Sequence, residues 1–121
     1  MTLGLLIGIG LLGGAGAVLR LLGDGFVSSR VPGTFPLGTL TVNLTGTFAL
    51  GLLIGSGVAE DGLRILGLGL LGGFTTFSTW MYETQRLADK GSRGFAGLNL
   101  LAGVVFGLLA IWLGIELGGA L

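Results

Sequence analysis

Four stretches of this 121-residue chain carry no charged side chain: Thr2 to Leu19, Val31 to Ala59, Ile65 to Tyr82 and Gly94 to Ile115. Each is near or above the ~18 apolar residues that mark a candidate membrane span. The remainder is too short for a soluble unit of its own. An all-α membrane protein follows, a single domain over residues 1–121 with four transmembrane helices. Their expected limits are about 3–22, 37–55, 63–82 and 94–115. A mean hydropathy of +0.96 agrees with that class.

The same distribution excludes several functions. There is no His or Cys, and every Asp and Glu lies outside the four charge-free stretches. A buried acid–base pair, a thiol nucleophile or a metalloenzyme centre therefore has no residues to build on, and an enzyme is not expected. Net charge is zero, which provides no basic face for nucleic acid. The 27 glycines follow no collagen-like period. Many fall four apart, as in Gly4/Gly8, Gly10/Gly14, Gly51/Gly55, Gly69/Gly73 and Gly103/Gly107, a spacing that lets helix backbones approach closely in lipid.

The third stretch is unusual. Gly72-Gly73-Phe74-Thr75-Thr76-Phe77-Ser78-Thr79-Trp80 sets a glycine pair before four hydroxyl side chains interleaved with aromatics. Gly-Gly holds a helix poorly, and Thr and Ser compete for its backbone hydrogen bonds. Two readings stand. In one, the helix is broken, with freed carbonyls and hydroxyls facing a polar path. In the other, an intact helix uses its small residues for packing and its hydroxyls bond back to its own carbonyls.

Helix two carries Thr39, Asn43 and Thr47 at i, i+4 spacing, hence on one face. Asn43, with two donors and an acceptor to satisfy, fits either an interhelical clamp or a donor along an ion path. Arg20, expected near the end of helix one, either snorkels to the headgroups or attracts anions at a pore mouth. Ala15-Gly16-Ala17 is similar to a signal-peptidase site. With no basic residue ahead of it, helix one is kept as a membrane span.

Three separated motifs, in order along the chain, carry a resemblance. Residues Gly72 to Trp80 resemble the signature of the small bacterial fluoride channels, the Fluc or CrcB family. The likeness extends through Gly13-Gly14-Ala15-Gly16-Ala17-Val18-Leu19-Arg20 and through Gly38-Thr39-Leu40-Thr41-Val42-Asn43-Leu44-Thr45-Gly46-Thr47-Phe48. It also takes in Glu83 and the closing Gly107-Leu108-Leu109-Ala110-Ile111-Trp112-Leu113-Gly114.

The resemblance implies an antiparallel dimer in the bacterial inner membrane that conducts fluoride passively and lowers its cytoplasmic concentration. It implies a break in the third helix and a central, structural sodium ion held by the main-chain carbonyls of Gly72 and Thr75. On the anion path it places Asn43, Phe77, Ser78, Thr79, Thr39 and Arg20, with Trp80 at the second pore phenylalanine. The chain departs from the pattern at Trp80, at Asn99, where a pore-facing Tyr is common, and at Gly103, where a Ser is common.

Two rival classes are weighed. A small multidrug transporter needs an acid within helix one, which is absent between Thr2 and Leu19. A non-conducting or partner-dependent membrane subunit would satisfy the glycines alone. With four spans, Arg20, Arg30, Arg86, Lys90 and Arg93 fall on one side of the bilayer and only Arg64 on the other. Cytoplasmic loops gather Lys and Arg, so this bias predicts one fixed orientation. A fixed orientation suits a heterodimer with a paired homologue better than a homodimer of oppositely inserted copies.

Overall fold

In the computed structural model, which describes residues 1–121, the first helix ends where a proline requires it. Helix α1 runs Leu3–Arg30, well past the Leu22 expected from sequence. Asp24 and Arg30, read as loop residues, belong to its last turns. The Ser28 hydroxyl donates to Asp24 Oδ1 at 3.2 Å. The Arg30 guanidinium lies 3.8 Å from the Phe26 ring centroid and complements the helix C-terminal dipole. Val31, at φ −119° and ψ 93°, is extended because Pro32 disfavours helix in the residue before it. The longer helix also moves Arg20 from the expected helix end to the interior of α1.

Helix α2 spans Leu37–Gly55 and α6 spans Arg93–Gly119. With α1 they are the three helices long and apolar enough to cross a membrane. The stretch expected as the third helix at about 63–82, broken or intact, is built from pieces. Helix α3, Glu60–Gly62, leads directly into a π-helix at Leu63–Leu71 and then α4, Gly72–Phe74. Residues 75–77 are not helical, and α5 covers Ser78–Asp89. Arg64 pairs with Glu60 and, at 3.7 Å, with Asp61, exposed pairs that stabilise little.

Two glycine seams hold the bundle. The most extensive packing is between α2 and α6. There a Cβ on Gly51 would sit 2.5 Å from the Ile111 carbonyl oxygen, and one on Gly118 would collide with the Leu52 carbonyl. Gly51 and Gly55 thus face Gly114 and Gly118, each helix offering small residues one turn apart. The second seam joins α1 to the π-helix and α4. A Cβ on Gly69 would meet Ile9 Cα at 3.1 Å, and one on Gly73 would come within 2.9 Å of the Gly13 carbonyl carbon. Gly10, Gly14 and Gly107 meet nothing, so their spacing does not mark a contact within the chain.

Only Leu5 and Gly16 are buried on α1, while Leu3, Leu11, Leu21 and Leu22 are each at least 64 % exposed. So much contiguous apolar surface is untenable in water and ordinary against lipid or a partner.

Candidate functional site

Between α2, the non-helical residues 75–77, α5 and α6 lies a groove of about 250 Å³, into which Asn43, Thr75, Phe77 and Trp80 all open, with Gly103 on its α6 wall. Four of the residues singled out from sequence therefore meet at one place. Thr47, on the same α2 face as Asn43, also lines it.

Asn43 holds the non-helical segment. Its side-chain Nδ2 donates to the Thr76 carbonyl at 2.8 Å, and its Oδ1 accepts from the Thr76 N–H, also at 2.8 Å. The side-chain amide thus pairs with a peptide group as a neighbouring strand would, and one Nδ2 hydrogen remains unassigned. Thr76 continues the arrangement, since its Oγ1 accepts from the Thr79 N–H at 3.2 Å. A hydroxyl taking an N–H three residues on is how Ser and Thr open helices.

These bonds alter the backbone upstream. In a continuous helix the Thr76 N–H would reach the Gly72 carbonyl, and the Thr79 N–H would reach that of Thr75. Both donors are committed elsewhere, and no main-chain N–H bonds to the carbonyl of Gly72 or Thr75. Thr75 itself is extended, at φ −85° and ψ 161°. Its N–H and its hydroxyl both donate to the Leu71 carbonyl, at 2.9 and 3.0 Å. Gly72 is exposed, and a Cβ there would meet nothing closer than the Gly67 carbonyl oxygen at 3.7 Å.

The aromatic pair is fixed differently. The rings of Phe77 and Trp80 stand edge-to-face, with centroids 5.8 Å apart and an interplanar angle of 85°. Phe77 is 69 % exposed. The Trp80 indole N–H donates to the Asn99 carbonyl at 3.0 Å and so is not a free donor for an anion. Asn99 is 1 % exposed, and its Nδ2 donates to Thr84 Oγ1 at 2.8 Å. It is an α5–α6 clamp and not a groove-facing residue.

The other sequence candidates do not line the groove. Thr39 is buried on α2, one turn before Asn43. Ser78 is exposed and Thr79 half-buried at the start of α5. Arg20 is half-buried inside α1, with its Nε enclosed and unpartnered. It does not sit at a helix end from which to snorkel. Glu83 lies near Thr39, Asp24 and Arg86, with one carboxylate oxygen buried and unpartnered.

Sequence reading missed Thr76 and understated Gly103. The signal for Thr76 was a hydroxyl three residues before Thr79, a capping spacing that the surrounding hydroxyls obscured. No group of three or more His, Cys, Asp or Glu could hold a metal ion.

A family model described as CrcB-like protein, Camphor Resistance (CrcB), matches residues 7–115. The chain belongs to the CrcB family. It is 47 % identical over 114 residues to a protein of Mycobacterium tuberculosis (strain ATCC 25618 / H37Rv) named Fluoride-specific ion channel FluC 2, covering 94 % of this chain and 90 % of that one. It is 43 % identical over 123 residues to Fluoride-specific ion channel FluC 1 of Leifsonia xyli subsp. xyli, covering 98 % and 90 %. A Geobacter metallireducens protein named Fluoride-specific ion channel FluC is 44 % identical over 115 residues, covering 91 % and 93 %. The resemblance drawn from the three motifs is borne out.

Proposed function

We propose that this CrcB-family chain is a fluoride channel of the bacterial inner membrane, multi-pass and non-enzymatic, through which fluoride leaves the cytoplasm passively. The observation that carries the reading is the groove in which Asn43 and the segment 75–77 converge beside the exposed Phe77 ring. Fluoride holds its water tightly, so a path must replace that water with closely spaced donors and positive ring edges. Asn43 retains one amide hydrogen for this purpose. Thr39, Ser78 and Thr79 add hydroxyls along or beside the path, and Arg20 adds positive potential. The test is fluoride efflux from proteoliposomes containing the assembled dimer, of this chain with itself or with its oppositely oriented homologue. Rapid efflux that excludes chloride is expected, and leakage no faster than from empty liposomes refutes the reading.

The interruption at 75–77 is, on this reading, the break in the third helix, and its freed carbonyls hold a structural sodium ion. Gly72 and Thr75 each present a main-chain oxygen with no N–H partner. Neutral oxygens are the donors a hard cation takes. One chain provides two such oxygens, so an antiparallel partner subunit would complete a four-oxygen shell. Bound there by the Gly72 and Thr75 carbonyls, the ion would supply positive charge between the two breaks and would not be transported.

Orientation follows from the fold. With Arg20 inside α1, the tally becomes Arg30, Arg86, Lys90 and Arg93 against Arg64. Residues 33–36, Arg86 and Lys90 line one cavity of about 290 Å³, so these basic residues gather at one end of the bundle. A four-to-one bias favours a single orientation with that end cytoplasmic. The dimer would then be formed with an oppositely oriented homologue.

A further inference from the structure

Trp80 and Gly103 fit one another as a unit. A Cβ on Gly103 would lie 2.6 Å from the Trp80 Cε2 and 2.9 Å from its Nε1, distances no real Cβ tolerates. Nothing larger than glycine can stand opposite this indole without displacing it.

Hydrogen bonds close a ring around the same contact. The indole N–H donates to the Asn99 carbonyl, Asn99 Nδ2 donates to Thr84 Oγ1, and Thr84 Oγ1 donates to the Trp80 carbonyl. Asn99 and Gly103 lie four residues apart, hence on one face of α6. That face receives the long edge of the indole at Gly103 and its N–H at Asn99. The remaining surface of the ring packs edge-to-face with Phe77, which is otherwise exposed to the groove.

We propose that Trp80 is a positioning residue that sets the orientation of the Phe77 ring, that Gly103 is the size-determining position opposite it, and that the indole N–H never contacts the permeating anion. The three departures from the family pattern then form one coupled exchange. A larger ring at 80 requires no side chain at 103 and uses Asn99 to hold its N–H. This inference rests on the channel reading for its flux measurement but not for its structural one.

The test compares Gly103→Ala, Trp80→Phe and the Trp80→Phe/Gly103→Ala double variant in a Trp112→Phe background, leaving Trp80 as the one indole where it is retained. Trp112 is exposed on α6, away from the groove. Fluoride efflux is measured alongside the ¹⁵N resonance of the indole N–H. Overpacking beside Trp80 in Gly103→Ala is expected to lower flux by about tenfold or more and to move the indole resonance.

The double variant, with a smaller ring and a methyl group filling its space, is expected to recover most of that loss. Unchanged flux and an unmoved resonance in Gly103→Ala overturn the proposal. So does a double variant no faster than Gly103→Ala alone, or an indole resonance that shifts with added fluoride in the parent protein. Should Gly103→Ala fail to assemble, the double variant must assemble and conduct, and its failure is equally decisive. If the parent protein carries no fluoride, the channel reading falls. The indole resonance in Gly103→Ala still decides the pairing.

Discussion

Replacing Asn43 by Asp changes one atom of the side chain and reverses one of its two bonds. The retained Oδ1 can still accept from the Thr76 N–H, now at 2.8 Å. The other atom, which donates to the Thr76 carbonyl at 2.8 Å, becomes a carboxylate oxygen facing a carbonyl oxygen. A part-buried carbonyl left without its partner costs about 1–3 kcal/mol. A full negative charge beside an anion path adds more, since two unit charges 4 Å apart interact by about 4 kcal/mol near a protein surface. At 1.36 kcal/mol per factor of ten in rate, fluoride flux at neutral pH should fall by about a thousandfold or more.

Asn43→Ala separates the two effects, because it loses the clamp and adds no charge. Its expected loss is smaller, about tenfold. The assay is efflux recorded with a fluoride electrode and normalised to assembled protein by size exclusion. Wild-type flux in Asn43→Asp would refute the placement of Asn43 on the path. An Asp variant no slower than the Ala variant would mean that the permeating ion does not sense charge at this position.

The adjoining glycines should respond in opposite ways. Gly73→Ala drives a methyl into the α1 backbone at Gly13 and should lower thermal stability in detergent by about 1–3 kcal/mol. Gly72→Ala meets nothing nearer than 3.7 Å within the chain and should leave the isolated subunit folded; equal destabilisation of the two would contradict the seam described here. Assembly in a bulky organic cation instead of sodium should abolish dimer formation or flux, and indifference to the exchange would count against the Gly72 and Thr75 site. There is no native cysteine, so Ser29→Cys and Ser56→Cys can report orientation. An impermeant thiol reagent applied to intact cells should label only the Ser56 variant, and substantial labelling of both would overturn the fixed orientation.

Features set by composition were legible in the chain, and features set by one side chain's relation to another were not. Four charge-free stretches leave little choice but membrane helices, and α2 falls on the expected residues. Asp24 and Arg30 misled the placement of the end of α1, because charge at a helix end is compatible with helix once it stands clear of hydrocarbon. The π-helix at Leu63–Leu71 had no sequence signal. It coincides with Gly67 and Gly69, which are buried against Leu50 and Ile9, so tertiary packing accompanies the altered winding. Asn43 drew attention by its polarity, but sequence left it equally a clamp and a path donor. The fold gives it the clamp directly and leaves one of its amide hydrogens without an assigned partner. Gly103 had meaning only with Trp80 across from it, a relation between two helices that no local pattern records.

The placement of residues 75–77 depends on the best-packed part of the molecule. Asn43 belongs to α2, while Asn99 and Gly103 belong to α6, and these two helices share the tight glycine seam of Gly51, Gly55, Gly114 and Gly118. The segment is tied to α2 through the Thr76 peptide group. Through Trp80, just beyond its end, it is tied to α6. Both ties originate on helices whose relative position cannot slip without backbone collision. A non-helical segment has no internal ladder of hydrogen bonds to fix its shape, so its geometry must be imposed from outside. Here a rigid pair of helices imposes it, and the Gly72 and Thr75 carbonyls are left without donors as a consequence. The same seam that shapes the groove therefore also decides which main-chain oxygens remain without donors.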